Sequence, residues 1–358
     1  MPSVLHVLPH HGGGGETYID LLEGHDAFSH HRVELSAGRT PAQAAASLPA
    51  RLPSIVRDAR RSDLVHVHGD TAALLGLPLL RGRPSVVTTH GLHLLRRVTG
   101  PSRGAVVAGL RMAARVADRV ICTSHAERDE LAALLPSSSA RRLVVVHNGI
   151  ELPPEVDPAQ RAAARTALGL GDADVVALFL GELHERKAPL DAVAAAHAAR
   201  ARGAPLVLLV AGDGPQAAAV QERAGAAVCP LGFRDDVPRL LSAADLFVLP
   251  SAREGLSFAI LEAMGRGLAM VVSDGPGNPE AVGDAGVIVP VGDREALTEA
   301  LGDLATDGER RARLGAAARE RVHSTFTLEA FRAETYEVYR AALSAAPWPP
   351  ARRSSPRG

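Results

Sequence analysis

Lysine is almost absent from this chain: of its 39 basic residues 38 are arginine, and Lys187 stands alone. An alanine- and arginine-rich composition of this kind points to a coding bias toward arginine wherever either residue would serve. A position that stays lysine then points to a need for a compact ammonium in place of a planar fork, with accident as the competing reading. An excess of charge of one sign is also missing. The net charge is −1 and aromatic residues make up 3%, so neither a global field nor stacking platforms favour nucleic acid. The two cysteines, Cys122 and Cys229, lie far apart with no CxxC spacing, which argues against a disulfide scaffold and a thiolate zinc site and for a reducing compartment. No apolar run approaches the ~20 residues of a membrane span. The chain enters a strand-like run at Ser3 without a basic n-region or an apolar h-region, so a cytoplasmic location is expected.

At 358 residues the chain is too long for one ordinary core and suits two domains of roughly 150–200 residues each. Short apolar runs alternate with longer helical patterns: Val4–Leu8, Leu64–His68, Ser85–Thr89, Arg119–Thr123 and Leu143–His147, then Val175–Leu180, Leu206–Ala211, Leu246–Pro250 and Ala269–Ser273. Such runs predict buried parallel strands, and the alternation predicts an α/β fold with open sheets covered on both faces. The expected division is a first domain over 1–152, a linker over 153–170 that opens on Pro153-Pro154, a second domain over 171–325 and a helix over 326–345. The Pro-, Arg- and Ser-rich stretch 346–358 is expected to be disordered.

In the second half the most specific segment runs from Pro250 to Met264. It follows a strand, loops through Glu254-Gly255-Leu256 and starts a helix near Ser257, Phe258 and Ala259. A helix start beside a strand's carboxyl end is an anion site, because unpaired N–H groups and the positive dipole end point outward. Glu262 lies about a turn and a half inside that helix, so it forms no close acid/base pair with Glu254; each is also readable as a solvated dipole partner. Gly212-Asp213-Gly214 and Gly232-Phe233-Arg234 follow further strands, although turn chemistry alone explains Asp-Gly-Pro. Glycine turns, the Arg186-Lys187 pair and a helix start together describe a phosphate-containing ligand.

In the first half, His11-Gly12-Gly13-Gly14-Gly15 joins the first strand to the first helix, and glycines there permit positive φ and close backbone approach. A dinucleotide-binding turn would show Gly-x-Gly-x-x-Gly and an acid near the end of the second strand; the third spaced glycine is missing and Glu34 is a poor substitute. His90 sits at a strand's carboxyl end. His66-x-His68 and His90-x2-His93 raise a metal site, but no third ligand has a fixed spacing, and no metal is expected. From Arg96 to Arg115 arginines interleave with apolar residues and no carboxylate intervenes. That pattern fits weak peripheral contact with an anionic membrane or, equally, a solvated helix covering the sheet.

The segment Gly181-x5-Lys187, the turn Gly212-Asp213-Gly214, the run from Gly232, the run Asp245–Ser251 and the pair Glu254-x7-Glu262 resemble, in order and spacing, the retaining GT-B glycosyltransferases of family 4. The resemblance is dense over the second half and touches the first half at three or four points. It implies two facing Rossmann-like domains, acceptor side first and donor side second, with a C-terminal helix crossing back to the first. It further implies a nucleoside diphosphate sugar as donor, a hydroxyl acceptor and no cofactor. Under it Glu254, His90 and Lys187 are the catalytic candidates: Glu254 and His90 near the transferred sugar, Lys187 on the diphosphate. Glu262 would bind the ribose hydroxyls. Gly13, Gly14, Gly15, Arg186, Gly212, Gly214, Phe233, Arg234, Gly255, Leu256, Ser257, Phe258 and Ala259 would complete the donor site. Gly12, His11, Ser124 and Asn148 would border the acceptor. Glu182 departs from the family, whose arginine here also faces the diphosphate. A non-catalytic nucleotide-sugar-binding protein therefore stays open as an alternative, as does a nicotinamide-dependent oxidoreductase.

Overall fold

The computed structural model describes every residue except 11, 12, 26, 37–40 and 346–358, and only the backbone of 41–45 and 345. His11, Gly12 and the stretch 346–358 expected to be disordered thus lie outside the described residues. The chain divides into two compact units, one of Met1–Val146 with Arg332 onward, the other of His147–Phe331.

In the first unit β1 (Ser3–Leu8), β2 (Ser29–Glu34), β3 (Leu64–His68), β4 (Ser85–Thr88), β5 (Arg119–Cys122) and β6 (Leu143–Val145) form one sheet in the order β2-β1-β3-β4-β5-β6. In the second, β7 (Val175–Leu180), β8 (Leu206–Ala211), β9 (Val228–Gly232), β10 (Leu246–Leu249), β11 (Ala269–Ser273) and β12 (Gly286–Val289) form another in the order β12-β11-β10-β7-β8-β9. The named pairings in both sheets are parallel. The central strands are the apolar runs of the sequence, buried at nearly every position as parallel strands must be. The three strands without a matching run are edges: β2 is Ser-His-His-Arg-Val-Glu, β9 is Val-Cys-Pro-Leu-Gly and β12 is four residues long.

Strand order in each unit reverses once, and ligands of open α/β sheets collect where it does, outside the carboxyl ends of the two strands concerned. In the second unit those strands are β7 and β10; in the first they are β1 and β3. Lys187 follows β7, Glu254 follows β10, Gly13 follows β1 and His68 closes β3.

The stretch expected as a linker carries the helix Pro158–Ala167, which packs within the second unit. Its Arg161 Nη2 donates to Asp245 Oδ1 at 2.6 Å, and its Arg165 Nη1 donates to Asp245 Oδ2 at 3.2 Å. The helix Leu328–Ala345 carries the chain out of the second unit and packs in the first, where Tyr336 OH donates to the carbonyl of Leu22 at 2.8 Å and buried Tyr339 lies 2.7 Å from His66 Nδ1.

Candidate active site

In the second unit the loops after β7 and β10 are knitted together, since Ala252 N donates to the carbonyl of Arg186 at 2.8 Å. A single 3-10 turn, Glu185–Lys187, presents the two basic residues; His184 caps it by accepting from Arg186 N at 3.2 Å. Lys187 Nζ lies 3.0 Å from Glu254 Oε1 and Arg186 Nη1 lies 3.7 Å from the same oxygen. Glu182, half-exposed, stands 3.8 Å from Arg186 Nη2, four residues on. Two cations and two carboxylates leave the cluster balanced. Arg186 Nε and Nη1 and Glu254 Oε1 are nonetheless buried without an aligned hydrogen-bond partner among the described residues, a condition that calls for an explanation in ligand binding or strain.

The glycines here serve loop packing. A Cβ on Gly181 (φ +150°) would meet Lys187 Cδ at 3.1 Å and Nζ at 3.4 Å, so the bare glycine is the floor under the lysine stem. A Cβ on Gly212 would sit 1.9 Å from the Gly181 carbonyl oxygen, and one on Gly214 2.8 Å from that of Leu183. Gly212 and Gly214 therefore hold the β7 loop by close backbone approach.

The loop after β10 rests on buried polar groups. Asn278 Nδ2 donates to Ser251 Oγ and to the Ser273 carbonyl, each at 3.2 Å. Asn148, expected on the acceptor side, is buried in the second unit and donates through Nδ2 to the carbonyl of Leu256 at 2.6 Å. Leu256 is buried. Ser257 is the N-cap of the helix Phe258–Gly265, yet its side chain makes no capping bond, so its hydroxyl leaves the first N–H groups to other partners. Glu262 lies one turn in, half-buried, and burial pushes its carboxyl up to about 7. Beyond β9, Phe233 is 78% exposed, while Arg234 is held by Asp236 through Nε at 2.7 Å and Nη2 at 2.5 Å.

In the first unit Gly13 (φ +87°) precedes the helix Gly14–Leu22, whose start has no capping side chain. Gly14 is exposed, and a Cβ on Gly15 would lie 3.9 Å from His90 Nε2. His90, Gly91 and Leu92 all have positive φ, +51°, +98° and +51°, a run that non-glycine residues keep only when their surroundings impose it. Buried Glu127 does so: its carboxylate accepts from Gly91 N, from Thr123 N at 2.7 Å and from Thr123 Oγ1 at 3.0 Å. Burial lowers His90 to about 4, so its ring is neutral near pH 7. Ser124 is buried and its hydroxyl caps the helix His125–Leu134 by accepting from Glu127 N at 3.1 Å, an occupation that the acceptor-side expectation did not include. His66 and His68 join His6 in a buried triad whose ligand atoms lie within 4.8 Å of one another. Both nitrogens of His66 are already paired, at 2.7 Å with Tyr339 OH and at 2.7 Å with Thr88 Oγ1.

Part of the apolar face offered for membrane contact is buried, while Met112 stays exposed. The helix Gly100–Val116 buries Val106, Leu110, Ala113 and Ala114 in the core of the first unit. Arg96 is an almost buried partner of Glu130, and Arg111 Nε donates to the Leu134 carbonyl at 2.7 Å. No helix among the described residues is long and apolar enough to cross a membrane.

Residues 6–154 match the family described as Glycosyltransferase Family 4, and residues 174–307 match Glycosyl transferases group 1. The chain is 35% identical over 319 residues to the alpha-maltose-1-phosphate synthase of Mycolicibacterium smegmatis, covering 80% of this chain and 81% of that one. It is 36% identical over 310 residues to the 2-deoxystreptamine N-acetyl-D-glucosaminyltransferase of Streptomyces fradiae, covering 80% and 73%. Among solved structures, sucrose-phosphate synthase from Thermosynechococcus elongatus superimposes with a TM-score of 0.81 at 20% identity over 96% of this chain and all (100%) of that one. HepE of Anabaena in complex with UDP-glucose does so with 0.79 at 20% identity, over 95% and 99%. The chain belongs to glycosyltransferase family 4 and has the GT-B fold. It is a glycosyltransferase.

Glu127 and Asn278 have no place in the expectations drawn from sequence. Ser124-His125-Ala126-Glu127 has the spacing of a capping box, a signal that was there to be used. Asn278 follows Gly275-Pro276-Gly277 and is legible only once β10 and β11 are neighbours.

Proposed function

We propose that this glycosyltransferase moves a sugar from a nucleoside diphosphate sugar to an acceptor hydroxyl with retention at the anomeric carbon and without a metal ion. The observation that carries the reading is Arg186: among the described residues its Nε and Nη1 are buried without an aligned hydrogen-bond partner, beside the Lys187–Glu254 pair at the point where strand order reverses. A diphosphate supplies the oxygens such donors need, in the bidentate geometry a guanidinium prefers. Lys187 adds a point charge, and the uncapped start of the helix Phe258–Gly265 adds N–H donors. These groups would stabilise the departing diphosphate as the anomeric centre becomes oxocarbenium-like, and their fixed placement is the catalytic contribution.

Glu254 would then orient the sugar, Glu262 would accept from the ribose hydroxyls, and exposed Phe233 would lie against the base. In the first unit His90 is assigned a polar contact with the transferred sugar, and Gly13, Gly14 and Gly15 offer backbone N–H groups to the phosphates. A bound UDP-glucose in HepE of Anabaena supports a nucleotide-sugar donor, and a relative named for 2-deoxystreptamine N-acetyl-D-glucosaminyl transfer supports a polyhydroxy acceptor.

The test is a thermal-shift panel of UDP-, GDP-, ADP- and dTDP-sugars, followed by donor hydrolysis with and without EDTA and NMR of the product's anomeric proton. A raised melting temperature with one donor class, EDTA-insensitive turnover and a product of unchanged anomeric configuration are expected. A product of inverted configuration overturns retention, and abolition by EDTA overturns metal independence. Binding without any turnover returns the protein to a nucleotide-sugar-binding scaffold.

A further inference from the structure

Four histidines of the first unit stand in a hydrogen-bonded file across adjacent strands. His30 lies on β2, His6 on β1, His68 at the end of β3 and His90 two residues past β4. His30 Nδ1 is 2.9 Å from His6 Nε2, His6 Nδ1 is 2.9 Å from His68 Nε2, and His68 Nδ1 is 3.0 Å from His90 Nε2. Every link runs the same way, from the Nδ1 of one ring to the Nε2 of the next. His6 and His68 are fully buried, and the His6–His68 and His68–His90 rings are stacked with centroids 5.1 and 5.3 Å apart. Tyr18 closes over the far end, edge-on to His90 at 5.1 Å. Gly15 borders that end, where a Cβ would be in ordinary contact with His68 and His90 and would press only on Leu8 Cδ2, at 3.1 Å.

A neutral imidazole has one N–H and one bare nitrogen. Burial pushes His6 and His68 well below their ordinary value and His90 to about 4, so the inner rings are neutral near pH 7. In a head-to-tail file of neutral rings each hydrogen bond dictates the next: if one ring carries its proton on Nδ1, all do, and if one carries it on Nε2, all do. We propose that His68, His6 and His30 are positioning residues for His90, and that this file decides whether Nδ1 of His90 presents an N–H or a lone pair to the ligand. The assignment deepens the role given above to His90 and rests on it for its consequence in catalysis, though not for the proton order itself. His30 Nε2, at the other end of the file, is buried without a hydrogen-bond partner among the described residues, so the file has no acceptor to which it could pass a proton on, and its order is held in place and not relayed.

A metal ion on His6, His66 and His68 is the competing use of the same rings. It requires Zn–N distances of about 2.0–2.1 Å and free lone pairs, whereas His6 and His68 bond to each other directly and both nitrogens of His66 are taken.

The experiment is nitrogen-15 NMR of the histidine rings in the full chain without ligand, repeated for His6→Phe, with metal content measured on the same sample. The expected result is one shared tautomer for His30, His6, His68 and His90 in the wild type, and a mixture of tautomers at His90 in His6→Phe. With a donor identified, kcat of His6→Phe is expected to fall roughly tenfold, on the scale of lost orienting partners, with KM little changed. Mixed tautomers along the wild-type file overturn the proposal, whether or not the variant folds; so does a stoichiometric metal on His6, His66 and His68. If the shared tautomer is found but donor leaves the His90 signals unmoved, the file stands and the sugar contact assigned to His90 fails.

Discussion

Lys187 Nζ lies 3.0 Å from Glu254 Oε1, and both side chains are largely buried, 13% and 8% exposed. The one lysine of the chain is therefore bound to the very carboxylate assigned to the transferred sugar. A donor diphosphate would compete with Glu254 for this ammonium, which couples leaving-group binding to the freedom of the carboxylate beside the sugar.

Removing either partner strands the other. Lys187→Met is expected to cost about 2 kcal/mol in urea unfolding, below the roughly 3–5 kcal/mol of a broken buried pair because Arg186 stays 3.7 Å from the same oxygen. Glu254→Gln introduced into that variant should recover most of the loss while leaving transfer abolished. Additive losses in the double variant would show that the two do not act as a pair.

Gly181→Ala tests the floor beneath the lysine. The added methyl meets the Lys187 stem at 3.1–3.4 Å on a backbone with φ +150°, so the ammonium must move. The expectation is a loss in kcat/KM of about tenfold or more, near 1.4 kcal/mol, with donor affinity reduced. An unchanged kcat/KM would mean that the lysine position is not tightly held.

Glu262 carries a pH signature. Its carboxyl is raised from an ordinary 4.5 to about 7 by burial, so the folded state prefers the proton. Its penalty is absent below the unfolded value, grows as pH rises from about 4.5 to 7, and is complete above that, at about 3 kcal/mol. Glu262→Gln should match the wild type in stability at pH 4.5 and exceed it at pH 8, as urea midpoints will show. Donor affinity should move the other way, since ribose hydroxyls donate to the charged form. Parallel stability curves for the two proteins would remove the burial effect.

Phe233 is exposed enough to separate binding from folding. Phe233→Ala should leave stability within about 0.5 kcal/mol while raising the donor KM several-fold, since a stacked base is worth roughly 1–3 kcal/mol. A KM equal to that of the wild type would place the base elsewhere.

The sequence by itself determined the central strands, because a parallel strand covered on both faces must be a short apolar run, and Leu206–Ala211 or Leu246–Leu249 has no other reading of comparable economy. It also marked Lys187, Glu254 and Glu262, whose spacing within one loop–helix segment and one strand-end turn is local information. Strand order was beyond it. Edge strands such as β2 gain little from burial and need no apolar pattern, and which strands lie side by side is settled by packing between distant segments. That is why the histidines of β2, β1 and β3 read as a scattering, or at most as an unsupported metal pair, until the sheet set them in line with His90. For the same reason Lys187 could be seen as unusual in sequence, while its partner could not: Glu254 reaches it only because β7 and β10 are neighbours where the strand order turns.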